Sequence, residues 1–442
     1  MESAASIVSG VLMPCILLAA GIFFGIKLRF FWITHPIRTV KTMLSGADTG
    51  GTSPFAALTM ALAGTLGVGN IAGVATAITA GGAGAVFWML IGALAAMSVK
   101  YAEVFLAVRY RRVRKEDGQT THYGGAMYYI RDGLGDLAKS AIGRRIAGVL
   151  GALFAVLCLV NSLLTGNIIQ VRAAADCVEI PPVLFGALFA AFTVFAMAGG
   201  MRRLSAITVV LIPLLAVLYL LLSGTILIAY ASEIPRIFVK IVREAFDFSA
   251  VGGGVLGLGV SRAIRFGITR GIFSNEAGCG TAPTAHASAN VKSPHHQGCF
   301  GLFEVFADTV VLCTVTALVI LLYADGEGLD GIDLSITAFS RLGASVGGTL
   351  LGIAADRFLR ISILLFAYAT VVCQSCYGIE AIRYFVPARG ARILYIALSV
   401  GATFAGALLK PGILWQWADM VVSVMTVVNV LCLLRLRKQI KA

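Results

Sequence analysis

Eleven stretches of this chain run for roughly twenty or more mostly apolar residues: about 8–28, 54–80, 84–108, 146–171, 182–200, 205–230, 253–285, 299–323, 359–380, 391–409 and 412–434. A helix that crosses the hydrocarbon core of a bilayer needs about 20 such residues. Of 442 residues, 58% are hydrophobic and only 13% are charged, whereas about a quarter of a soluble domain is charged. Such a chain cannot cover its apolar surface with polar groups, so lipid is its solvent. The reading is an all-α, polytopic membrane protein with 11 transmembrane helices. Fifty glycines against eleven prolines suit packed membrane helices. The stretch at 253–285 is too long and too polar for one clean crossing.

The net charge of +13 does not imply nucleic acid, because it sits in the loops between apolar segments. Taken alternately, the loops at 27–41, 109–145, 202–203, 292, 383–392 and 435–441 carry 23 basic residues against eight on the other side. Acidic residues such as Asp325, Glu327, Asp330 and Asp333 fall on the poorer side. The positive-inside bias then places the C-terminus in the cytoplasm and the N-terminus outside. Residues 1–7 carry no positive charge, so the first span reads as a retained helix rather than a secretory signal. A bacterial inner membrane is the expected location.

One phrase occurs twice. "NIAGVATA" begins at Asn70 and "NEAGCGTA" at Asn275, and five of the eight positions agree. The first lies on the second span and the second on the seventh, so an odd number of crossings inverts one copy relative to the other. This predicts an extra N-terminal helix at 1–30 and two inverted five-helix repeats, at 31–235 and 236–442. Each repeat would contain one interrupted helix. Gly64, Gly67, Gly69 and Gly73 cluster at the first copy, and Gly271, Gly278, Gly280 and Pro283 at the second. A glycine costs about 1 kcal/mol in a helix interior. Unpaired backbone groups in hydrocarbon cost several kcal/mol each, so a break persists only where protein or a wet cavity surrounds it. Such breaks offer carbonyls to a cation and helix N-termini to a carboxylate, which fits a zwitterionic amino acid with a monovalent cation. "GVGNIAG" has the wrong spacing for a dinucleotide fingerprint and follows no strand pattern.

Charged residues inside spans mark a pathway or a structural pair. Glu103, Arg262, Arg265, Arg270, Glu276, Glu304, Asp308 and Asp419 are of this kind. Glu304 and Asp308 are four apart and share a helix face. Arg265 and Arg270 are placed to pair with them or to line an outer vestibule. Arg265, Arg270, Glu276, Glu304 and Asp308 are therefore candidate gating residues. Lys100 and Glu103 also have snorkelling to the cytoplasmic surface open to them. The nine cysteines, including the Cys373 and Cys376 pair, read as small core residues. His286, His295 and His296 read as part of a solvated loop.

The chain resembles the alanine or glycine:cation symporters, amino acid carriers of the LeuT-type inverted-repeat class, over nearly its whole length. The likeness lies in "SPFAALTMALAGTLGVGNIAGVATAI", "FWMLIGALAAMSVKYAEVFLAVRYR", "GGAMYYI", "RGIFSNEAGCGTAPTAHASA" and "GLFEVFADTVVLCTVTALVIL". The resemblance implies that Gly67, Val68, Gly69 and Asn70 contact substrate, that Asn275 faces it, and that Gln170 and Gln374 line the same pocket. It implies a sodium site formed by carbonyls at Ala63 and Leu66 with the Thr370 hydroxyl. Sodium would be the coupling ion, and no cofactor is expected. The family commonly has Thr where Val68 stands, Ser before Thr370 where Ala369 stands, and Trp at Gln374. The lost hydroxyl leaves proton coupling open, and Gln374 leaves a larger or more polar amino acid open as substrate. The function expected is cation-coupled symport of small neutral amino acids such as alanine or glycine, by alternating access, with no enzymatic chemistry. A channel would want a pore-lining charge ring. An enzyme would want a nucleophile with its base.

Overall fold

The computed structural model describes residues 8–45, 51–116, 119–198, 200–246, 262–323, 328–410 and 412–441. Helix α1 (Val8–Lys27) is followed by the amphipathic α2 (Pro36–Leu44). Ser53 caps the next helix by accepting the Ala56 N–H at 3.1 Å, and Pro54 opens it, as proline does at a first helical position. This helix, α3 (Pro54–Thr65), stops mid-segment, and the chain resumes as α4 (Ala72–Gly81). Next come α5 (Gly84–Arg109), the antiparallel strands β1 (Arg112–Glu116) and β2 (Gln119–Tyr123), and α6 (Ala141–Ala175). They are followed by α7 (Pro182–Ala198), α8 (Gly200–Ala229) and the amphipathic α9 (Ile234–Ala245). Beyond residue 261 stand α10 (Arg262–Asn275) and the single turn α11 (Pro283–His286), then α12 (Pro294–Leu322). The chain ends with α13 (331–346) and α14 (349–385), parted at Gly347 and Gly348, then α15 (Arg389–Leu408) and α16 (Gly412–Arg435). Among the described residues, seven helices are long and apolar enough to cross a membrane.

The molecule is sided as lipid demands. Large apolar side chains such as Leu221 and Ile228 face outward, while Lys100, Glu103, Glu304 and Asp308 are wholly buried. The two interrupted helices lie against each other in opposite directions. Gly81 faces Arg262, Gly69 faces Ser274, and the Asn290 N–H donates to the Thr52 carbonyl at 2.7 Å. As residue number rises along one segment, it falls along the other.

Several expectations need correction. The protein is not purely helical, because the basic segment after α5 folds into the β1–β2 hairpin. The span expected at 359–380 begins near residue 349 and is preceded by the unforeseen α13; its charged Asp356, Arg357 and Arg360 had disguised the helix start. Part of the span at 253–285 lies outside the described residues. The repeated phrase is not broken at the same point in each copy. The first break, 66–71, takes in only its first two residues, and Gly73 is helical; the second break, 276–282, takes in all but its first. Gly64 and Gly271 are also helical.

Candidate functional site

At the first break, Gly67 N–H would bond the Ala63 carbonyl in a continuing helix. It turns instead to Asn70 Oδ1 at 3.1 Å. The freed carbonyls meet α14, where Thr370 Oγ1 lies 3.0 Å from the Ala63 carbonyl oxygen and 3.4 Å from that of Leu66. The Val68 N–H donates to Gln170 Oε1 on α6 at 3.4 Å. A Cβ at position 67 would stand 2.9 Å from Gln170 Oε1 and 3.0 Å from Thr370 Oγ1. Glycine lets the backbone approach both groups without displacing either. The oxygens of Ala63, Leu66 and Thr370 converge as a hard monovalent cation requires.

At the second break, Asn275 ends α10, and its Oδ1 accepts the Ala277 N–H at 2.9 Å. Glu276 has φ of +48°, and Gly278 and Gly280 have φ of +84° and +76°. Left-handed backbone at a non-glycine residue persists only where the surroundings hold it. Here Thr281 Oγ1 donates to Glu276 Oε2 at 2.5 Å and Gln374 Nε2 to Glu276 Oε1 at 2.9 Å. Gln374 also packs directly on Gly166, where no side chain would fit. Gly166 and Gln170 are one turn apart on α6, as are Thr370 and Gln374 on α14. These two faces bridge the breaks.

Asp308 ties the breaks together on another side. It accepts from Asn70 Nδ2 at 2.7 Å, Ser274 Oγ at 2.8 Å and Thr309 Oγ1 at 2.7 Å. Asn275 Nδ2 donates to Thr309 Oγ1 at 3.0 Å. Asp308 lies on a π-helical stretch, Phe306–Cys313, and a second such stretch, Leu164–Ile168, precedes Gln170. Such bulges recur at functional sites because they re-aim side chains.

The gating candidates divide. Glu276 and Asp308 belong to the site. Glu304 does not share Asp308's partners: it pairs with Lys100 Nζ at 3.1 Å and His286 Nε2 at 2.9 Å. Neither arginine reaches these carboxylates. Arg270 pairs with Asp419 at 3.4 Å and lies over Trp415, and Arg265 packs on Gly10. Helix α10 carries both arginines on its stretch before the break, a turn or more from the residues that meet Asp308. The snorkelling option fails for Lys100 and Glu103, both wholly buried. Nor is His286 in a solvated loop, since it too is wholly buried.

Glu103 was legible as a charge within a span, but its partners were not. Its carboxylate accepts the N–H groups of Gly278 at 3.1 Å and Gly280 at 2.8 Å, and Asn429 Nδ2 at 2.5 Å. It satisfies the backbone that the second break exposes, in the concavity that consecutive N–H groups make for an anion. Asn429, a buried amide on the mostly apolar α16, was an overlooked signal.

An apolar multi-helix body that gathers its charges inside, around two helices broken opposite one another, is the build of a multi-pass membrane transport protein. The chain belongs to the sodium:alanine symporter family, whose family model matches residues 1–442. It is 35% identical to the sodium/alanine symporter AgcS of Methanococcus maripaludis, over 98% of this chain and 93% of that one. It is 36% identical to an uncharacterized transporter of Haemophilus influenzae, covering 98% and 92%. It is 32% identical to the amino-acid carrier protein AlsT of Bacillus subtilis, covering 94% and 85%. The fold is shared with a manganese transporter of Eremococcus coleocola at a TM-score of 0.55 and 14% identity, covering 88% of this chain and 81% of that one.

Proposed function

We propose that this protein is a sodium-coupled symporter of alanine or glycine that works by alternating access, with eleven spans arranged as one added helix at 1–30 and inverted repeats at 31–235 and 236–442. The observation that carries the proposal is the convergence of Thr370 with the carbonyls of Ala63 and Leu66, at a helix break that touches Gln170. Those three oxygens hold the sodium ion. Gly67, Val68, Gly69 and Asn70 offer backbone to the substrate, and Gln170, Asn275 and Gln374 complete its pocket. Support for sodium and alanine comes from the names of the family and of its archaeal relative. Because cation and substrate share one broken helix, each stabilises the arrangement the other needs, and binding shifts the population toward an occluded state.

The test is uptake of labelled alanine by proteoliposomes holding the purified protein. An inward sodium gradient is expected to drive saturable accumulation that excess glycine competes away. Accumulation that is unchanged when choline replaces sodium overturns the coupling, and non-saturable flux overturns the carrier.

A further inference from the structure

Beyond the substrate site, a second polar assembly links the other halves of the two interrupted helices. His286 closes α11, wholly buried. Its Nε2 faces Glu304 Oε2 at 2.9 Å, and its Nδ1 faces Gln297 Nε2 at 2.8 Å. The same Gln297 Nε2 lies 3.3 Å from the Pro54 carbonyl oxygen, at the start of α3. A carbonyl only accepts, so the Gln297 atom facing it must be the NH2 group. That group therefore also donates to His286 Nδ1, which leaves the ring proton on Nε2, where it donates to the Glu304 carboxylate. Every contact is then satisfied by a neutral imidazole. The other Gln297 amide atom, Oε1, is buried without a hydrogen-bond partner.

A second proton on the ring changes this set. Nδ1–H against the Gln297 NH2 group places donor against donor. Turning the amide over presents Oε1 to Nδ1–H, which gives the orphan acceptor a donor. It also sets that oxygen against the Pro54 carbonyl, acceptor against acceptor. We infer that His286 is a proton-binding site, and that its protonation, read through the Gln297 amide, separates the start of α3 from α11.

The surroundings can hold the added charge. Glu304 is shared with Lys100 on α5, and Glu103 on α5 and Glu276 at the second break act on the same ammonium group. Glu304 is thus the carboxyl group in contact with both the imidazole and the amine. His296 on α12 turns to the Met43 carbonyl rather than to His286. Cys373 and Tyr377 of α14 stand against Gly64 of α3. The following segment is anchored by Arg111 through the carbonyls of Ala289 and Val291, and its Asn290 N–H holds the Thr52 carbonyl just before α3. The freedom gained on protonation therefore falls on the Pro54 contact and the first turn of α3, beyond the Asn290–Thr52 bond.

The use of such a latch rests on the carrier reading, but the contact can be tested without transport. The experiment is hydrogen exchange of the full chain in lipid nanodiscs, followed at the first amides of α3 and corrected for the intrinsic pH dependence. Lowering the pH from roughly 8 to roughly 5.5 is expected to speed their exchange about threefold or more. His286→Gln is expected to abolish the step. Gln297→Glu, which accepts from Nδ1–H at either pH, is expected to hold the fast-exchanging state throughout. An absent step in the unaltered protein, or a step that survives in His286→Gln, overturns the inference. Should His286→Gln fail to fold, Gln297→Glu decides alone, and slow exchange at both pH values refutes the latch. Loss of alanine uptake would bear on the carrier reading and leaves this result standing.

Discussion

Thr370 contributes a single hydroxyl, yet it carries the argument for a cation. In its absence the carbonyls of Ala63 and Leu66 lose the hydroxyl that faces both. Thr370→Val keeps the shape and removes the ligand. The half-saturating sodium concentration for uptake is expected to rise about tenfold, equivalent to about 1.4 kcal/mol, with the alanine KM at saturating sodium nearly unchanged. An equal rise in both quantities would point to a general disturbance instead. Lys100 presents a different kind of residue, a buried charge whose counter-charge in direct contact, among the described residues, is Glu304 alone. Removing one partner of a buried pair typically costs about 3–5 kcal/mol, because the other is stranded. Lys100→Met should therefore lower the unfolding midpoint in detergent sharply. Adding Glu304→Gln, which still accepts from His286, should recover much of the loss. Thr370 was legible in the sequence through the family likeness. The pairing of Lys100 was not, because a lysine near a span end has two physically sound fates, and only the approach of α12 selects burial.

Elements break where glycines permit, but the breaks themselves are made elsewhere. The glycine clusters located both interruptions to within a few residues. They did not fix the register, since the helical Gly64, Gly73 and Gly271 flank the breaks as freely as other glycines lie within them. What fixes the second break is Glu103, reaching from α5 to the N–H groups of Gly278 and Gly280. No local pattern reveals a cap supplied from residues so distant in sequence. The hairpin after α5 escaped detection for a related reason. Its basic residues look solvated until Arg114 meets Glu380 at 2.8 Å. Gly280→Ala puts a Cβ on a left-handed residue, 2.6 Å from Phe154 Cζ. The left-handed conformation alone costs about 1–2 kcal/mol, so a clear loss of thermal stability is expected. Gly148→Ala, in α6 with nothing within 4 Å of the added methyl, should instead stabilise by up to about 1 kcal/mol. Thermal unfolding of the two variants in one detergent distinguishes conformational need from mere abundance of glycine.

At the scale of the whole molecule, the loop charges meet a test they were not chosen for. Helix α5, 26 residues and so roughly 39 Å long, separates two ends. At its C-terminal end Tyr101 donates to the Lys441 carbonyl, Tyr110 to Gln439, and Lys27 to the Ile440 carbonyl. Arg111 reaches Val291 and Arg114 reaches Glu380 at the same end. At its N-terminal end the Ala83 N–H donates to Glu244, Trp88 Nε1 to the Ala245 carbonyl, and nearby Thr79 to Asp330. The residues that alternate loops assigned to the basic side gather at one end, and acidic Glu244 and Asp330 at the other. Positive charge resists translocation, so the end holding residues 437–441 is expected in the cytoplasm. A reporter active only in the cytoplasm, fused after residue 442, should be active, and the same reporter inserted near residue 328 should be silent. Thiol labelling gives an independent reading: Gln439→Cys should react with a membrane-impermeant reagent only after cells are opened, and Arg341→Cys in intact cells. The reverse pattern would turn the molecule over in the bilayer. It would also place the His286 latch on the outer face, where external acid rather than cytoplasmic acid would release it.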